Sequence, residues 1–100
     1  MAKSAYFKML EKENLVLVDF SAEWCGPCKA MKPILSQLKS QVGDKARIVK
    51  VDVDKNKAIA SQLNIQGVPT LILYKKGEIV WRQSGVFQAN ELEQIINNHA

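Results

Sequence analysis

The sequence predicts an α/β fold: a mixed sheet of about four strands flanked by helices on both faces. Three observations carry that expectation. Helical and extended patterns alternate along the chain, ending in two strands and a helix. The run Leu15-Val16-Leu17-Val18-Asp19-Phe20 is apolar at both parities, as a strand covered on both faces must be. A helical apolar stripe follows it at once, giving a strand-helix-strand unit whose crossover is right-handed.

Taken in order, Ser4-Ala5-Tyr6-Phe7 opens a first helix, and Leu15 to Phe20 form a central parallel strand. From Cys28 the residues Met31, Leu35, Leu38 and Val42 recur at steps of three and four, an amphipathic helix that Gly43 ends. Pro33 lies inside it, removes a hydrogen bond to the Lys29 carbonyl and is expected to kink the axis. Ile48 to Val53 is β-branched and alternating, a second parallel strand. Ile59, Ala60 and Leu63 mark a short helix that stops before Gly67-Val68-Pro69. Thr70 to Tyr74 and Ile79 to Gln83 flank Lys75-Lys76-Gly77-Glu78, a hairpin in which Gly77 supplies a positive φ. Asn90 with Glu93 resembles a capping box for a last helix that places Leu92, Ile95, Ile96 and His99 on one face.

A chain of 100 residues, 47% apolar and 24% charged, has the composition of one globular domain spanning residues 1–100. A domain of this size buries roughly 60% or more of its unfolded surface, so it folds without disulfide staples or a structural metal. Its two cysteines are then free for chemistry. The formal charge of +4 comes from lysines spread over the whole chain, with Lys75-Lys76 the only adjacent basic pair, so nothing points to nucleic acid. Met1 to Lys12 lacks the apolar core of a signal peptide and no stretch reaches membrane-span length. A lone cysteine pair also suits a reducing compartment, so the cytoplasm is the expected location.

Cys25-Gly26-Pro27-Cys28 lies between the first strand and the long helix. Two cysteines scattered at random over such a chain would show this spacing in about 2% of placements, so the context carries most of the signal. A nucleophilic sulfur must be a thiolate, and a cysteine opening a helix meets free N–H groups and the positive end of the dipole. The dipole is worth about 0.3–1 kcal/mol whereas one pKa unit is about 1.4 kcal/mol, so local hydrogen bonds must help, with Lys29 adding a weak screened field. Cys25, at the helix start, is expected to be the exposed attacker with the lower pKa, and Cys28, on the buried stripe, the resolver. Pro27 suits the first turn, where its missing N–H costs nothing.

Other uses of the pair are weaker. A staple closing so short a loop contributes on the order of 2 kcal/mol. A zinc site needs two further ligands, and His99 is the only histidine. A Cys-His hydrolase needs that histidine beside Cys25, whereas it sits near the end of the last helix, where a surface position is expected. Asp19 is a carboxylate in an apolar strand, where burial raises its pKa and suits it to proton transfer. Trp81, in an alternating strand, is expected to serve sheet packing.

Val18-Asp19-Phe20, Ala22-Glu23-Trp24-Cys25-Gly26-Pro27-Cys28-Lys29 and Gly67-Val68-Pro69-Thr70 resemble, in order and spacing, the signature segments of the thioredoxin family. The resemblance spans nearly the whole chain. It implies the thioredoxin fold and a protein disulfide reductase in which Cys25 attacks a substrate disulfide and Cys28 resolves the mixed disulfide. It makes Asp19 the group that assists deprotonation of Cys28, with Lys50 modulating it. It also implies a cis Val68-Pro69 bond, against the statistics of X-Pro bonds. Substrate would then contact Trp24, Gly26, Pro27, Gly67, Val68, Pro69 and Gly85, strand-like along the Val68 backbone.

No bound cofactor or metal is implied beyond the redox-active disulfide Cys25-Cys28. NADPH and flavin enter only through a thioredoxin reductase that recycles the protein. The expected partners are disulfide-containing protein substrates and that reductase, with no nucleic acid, no membrane and a monomeric state. The alternatives are a disulfide oxidant or isomerase on the same fold, or a non-catalytic binding subunit. Two departures stand out. Family members often carry an extra strand before the first helix, here absent or very short, which exposes the Ile48 to Val53 strand as a sheet edge. Ser21 stands where bacterial relatives commonly have a second Trp.

Overall fold

The computed structural model describes residues 4–100. The chain runs as helix α1 (Ala5–Lys12), strand β1 (Leu15–Ser21), helix α2 (Gly26–Val42), a 3-10 turn (Gly43–Lys45), strand β2 (Arg47–Asp52), helix α3 (Lys57–Gln62), strands β3 (Thr70–Lys75) and β4 (Glu78–Ser84), and helix α4 (Ala89–His99). The four strands form one sheet in the order β2-β1-β3-β4, with β1 parallel to β2 and the other pairs antiparallel. The mixed α/β sheet expected from the pattern is therefore present, and among the described residues β2 is one of its edges; the short segment before α1, residues 1–3, lies outside them.

Side-chain alternation explains the two layers. Leu15 and Leu17 of β1 enter the core under α2 and α4 with Met31, Leu35, Leu38, Leu92 and Ile96. Val16, Val18 and Phe20 point to the other face, packed with Leu10 of α1 and with Ile59 and Leu63 around α3. Leu15 to Phe20 are all buried, which is why this strand reads as an unbroken apolar run. The buried residues of α2 are Cys28, Met31, Leu35, Leu38 and Val42, the stripe its spacing predicts. Gly43 closes the helix at φ 55°, its N–H bonded to the Lys39 carbonyl.

The hairpin turns on Lys76 (φ 51°) and Gly77 (φ 87°), two central residues with positive φ, as a two-residue type I′ turn requires. One expectation is corrected at α4. Its N-cap is Gln88, not Asn90, and the capping box pairs Gln88 with Glu91, whose carboxylate accepts the Gln88 N–H at 2.9 Å. The helix begins earlier because Ala89 belongs to its buried stripe with Leu92 and Ile96, which puts Asn90 inside the first turn. Trp81 packs edge-on against Phe87, ring centroids 5.5 Å apart, as sheet packing. Among the described residues no helix is long and apolar enough to cross a membrane.

Candidate active site

Past the end of β1, the Cys25 N–H donates to the Ala22 carbonyl at 3.2 Å, a turn that delivers Cys25 to the N-cap of α2. Pro27 occupies the first turn of that helix, where it forfeits no bond. Cys25 and Cys28 are joined as a disulfide with Cα atoms 5.3 Å apart. The Cys28 N–H donates to Cys25 Sγ at 3.2 Å, so the helix start supplies the local donor that dipole arithmetic calls for.

Both cysteines are only 4% exposed, which corrects the expectation of an exposed attacker beside a buried resolver. Ala22, Val53 and Val68 pack around the pair, and the Val68 carbonyl oxygen lies 3.7 Å from Cys25 Sγ. Position at a helix start does not reveal a neighbouring loop that covers it. Trp24, by contrast, is 71% exposed. Its indole N–H donates to Asp54 Oδ2 at 2.8 Å. Asp54 is in turn held by a turn in which Asp52 Oδ1 accepts the N–H groups of Asp54 (2.8 Å) and Lys55 (3.2 Å). Sequence reasoning missed Asp54, although Asp52-Val53-Asp54-Lys55-Asn56 carries the signal of a side-chain-closed turn.

The Val68-Pro69 bond is cis. The loop around it is tied down at several points: Thr70 Oγ1 donates to the Gly67 carbonyl and lies 2.9 Å from Ser84 Oγ, and the Gly85 N–H donates to the Pro69 carbonyl at 2.9 Å. Gly85 has φ +117°, a conformation closed to most residues. We expect Gly85→Ala to lower stability by about 1–2 kcal/mol and to loosen the Pro69 loop. Urea unfolding reads the loss directly, and an unchanged midpoint would show that the loop tolerates a side chain. A Cβ at Gly26 or Gly67 meets no atom within 4 Å, so neither glycine is required by internal packing.

Asp19 is fully buried, and neither carboxylate oxygen has a hydrogen-bond partner. It shares strand parity with Leu15 and Leu17, which sets it on the α2 face of the sheet. Lys50 is its register partner across the parallel ladder and so faces the same side. Burial pushes the Asp19 carboxyl up to about 6, and the Lys50 ammonium opposes that rise. Lys50 also lines a groove with Cys28, Lys29 and Lys32. His99 stands apart: its ring is half-buried on α4, with Nδ1 2.8 Å from the Ile95 carbonyl. Among the described residues no group of three or more His, Cys, Asp or Glu could hold a metal ion.

The site is a helix-capping disulfide flanked by a cis proline loop, an exposed indole and a buried unpaired carboxyl on the α2 face. Comparison with known proteins agrees with it. The thioredoxin family model matches residues 1–98. Thioredoxin of Bacillus subtilis is 41% identical over 93 residues, 93% of this chain and 89% of the relative. A thioredoxin-like protein of Synechocystis is 53% identical over 79 residues, 79% of this chain and 75% of the relative. Among solved structures, a mutant thioredoxin from Halobacterium salinarum superposes with a TM-score of 0.87 at 35% identity, covering 99% of this chain and 86% of that one.

Proposed function

This chain belongs to the thioredoxin family and is a protein disulfide reductase, and we propose the following division of labour among its residues. The Cys25 thiolate attacks one sulfur of a substrate disulfide, forming a mixed disulfide and releasing the other substrate sulfur as a thiolate. Cys28 then loses its proton to the Asp19 carboxylate, attacks Cys25 Sγ and displaces the second substrate thiolate. Two electrons pass to substrate, and the protein is left with the Cys25-Cys28 disulfide. The observation that carries this order is the Cys28 N–H aimed at Cys25 Sγ, which stabilises a thiolate at Cys25 rather than at Cys28.

Lys50 holds Asp19 low enough to be ionised near neutral pH. Trp24, Gly26, Pro27, Gly67, Val68, Pro69 and Gly85 form the substrate rim. Trp24 offers apolar contact area beside the reacting sulfur, and the Val68 backbone offers strand-like hydrogen bonds. The room around Gly26 and Gly67 supports close approach of a substrate backbone. The partners are disulfide-bearing proteins in the cytoplasm and a flavin-containing, NADPH-dependent thioredoxin reductase, which restores the dithiol of this single, monomeric domain. Insulin precipitation tests the reading. Added with NADPH and a thioredoxin reductase, the folded protein should accelerate precipitation well above the control, and no acceleration would defeat it.

A further inference from the structure

We propose that the groove between α2 and the outer edge of β2 docks an acidic, extended segment of a partner polypeptide, which adds to the sheet beside β2. Among the described residues β2 is hydrogen-bonded to β1 alone. The N–H and C=O of one strand residue point to the same side, and that side alternates along the strand. Just past β2 the Val53 N–H donates to the Ser21 carbonyl of β1 at 2.9 Å, so the odd-numbered residues face β1. Ile48 and Lys50 therefore direct two donors and two acceptors outward, at the two-residue spacing an added strand requires. Asp52 faces outward too, but its carbonyl accepts the Asn56 side-chain amide at 3.0 Å, which closes the edge at that end.

Charge chooses the occupant. Lys29, Lys32, Ser36 and Lys39 are exposed at steps of three, four and three along α2, one stripe about 15 Å long. That matches about five residues of extended chain. Lys32, Ser36 and Lys39 line the groove opposite Ile48 and Lys50. The nearby carboxylates are engaged elsewhere: Glu23 pairs with Lys55 at 3.4 Å, Glu13 pairs with Arg47 at 3.2 Å, and Asp52 holds its own turn. Lys39 Nζ donates to the Gly43 carbonyl, while Lys29 and Lys32 form no ion pair within 4 Å among the described residues and Lys50 has only the buried Asp19 as a charge neighbour.

A second copy of this chain fits poorly. Antiparallel pairing sets outward-facing residues opposite one another, so it puts Lys50 against the copy's Lys50 when centred there and diagonal to it when centred on Val49, a like-charge contact in either register. A segment with carboxylates at alternate positions meets the lysines instead. Because Cys28 lines the continuation of the groove, docking holds the partner beside the redox pair without taking part in its chemistry.

The test uses isotope-labelled, oxidised protein and a short, end-blocked, cysteine-free peptide of alternating Glu and Val, so its result is independent of disulfide exchange. The expected outcome is solvent protection of the Ile48 and Lys50 amides on binding. Affinity should fall about tenfold in Lys32→Glu/Ser36→Glu, and the Gln-Val peptide should not bind. Four results would overturn the proposal: resonance shifts confined to the Trp24 and Pro69 surface, unprotected Ile48 and Lys50 amides, equal affinity of the variant, or concentration-dependent protection without peptide, which marks self-association. Should the variant fail to give a folded spectrum, the wild-type titration at raised salt decides, since binding through these charges must weaken there.

Discussion

Cys25→Ser should reduce insulin-reducing activity by at least about a thousandfold, because it removes the sulfur whose thiolate the helix-start N–H stabilises. Cys28→Ser should lose turnover to a similar degree for a different reason: the first displacement still occurs, but nothing attacks Cys25 Sγ to release the substrate. The two variants are equally inactive and differ in what they hold. Incubated with oxidised insulin and run without reductant, Cys28→Ser should migrate as a covalent adduct and Cys25→Ser should not. The equal burial of the two cysteines makes this experiment decisive, since exposure no longer distinguishes attacker from resolver. What remains is the one-way contact from the Cys28 N–H to Cys25 Sγ. Adduct formation by Cys25→Ser alone would reverse the assignment.

The sheet and its two helical layers were legible because apolar period reports directly on what must be covered. Leu15 to Phe20 needed cover on both faces, and the Met31, Leu35, Leu38 and Val42 stripe had one face to hide. Features set by chain path rather than by period were not legible. The helix start at Gln88 depends on Ala89 reaching the core, and the burial of Cys25 depends on Val68, 43 positions away. Residue chemistry brought Asp19 into view as a carboxylate in an apolar strand, yet did not reveal that both its oxygens would lack partners. The Trp24 to Asp54 hydrogen bond joins two loops 30 residues apart and leaves no trace in local pattern. The cis bond at Pro69 runs against residue statistics, and only resemblance of the surrounding Gly67-Val68-Pro69-Thr70 segment made it an expectation.

Asp19→Asn should stabilise the protein by about 3 kcal/mol at pH 8 and by almost nothing at pH 4. The sign follows from proton binding. In the unfolded chain this carboxyl ionises near 3.8, whereas in the folded protein burial lifts it to about 6. Between those values the folded state holds a proton that the unfolded state has lost, so stability falls as pH rises through the interval. Above it the full difference applies, and about two pKa units at roughly 1.4 kcal/mol each give the magnitude. Asparagine has nearly the shape of the protonated acid and cannot ionise, so it matches the wild type at low pH and escapes the cost at high pH. For a domain of this size the gain corresponds to a rise in Tm on the order of 10 °C or more at pH 8. Lys50→Met removes the opposing ammonium and should extend the wild-type fall in stability to higher pH. Urea denaturation of the oxidised proteins across pH 4–9 measures both effects. A pH-independent difference between Asp19→Asn and wild type would mean that the carboxyl does not titrate in this range. If Asp19 is the base for Cys28, the stabilised Asn variant should also resolve mixed disulfides more slowly, so stability and turnover move in opposite directions at one residue.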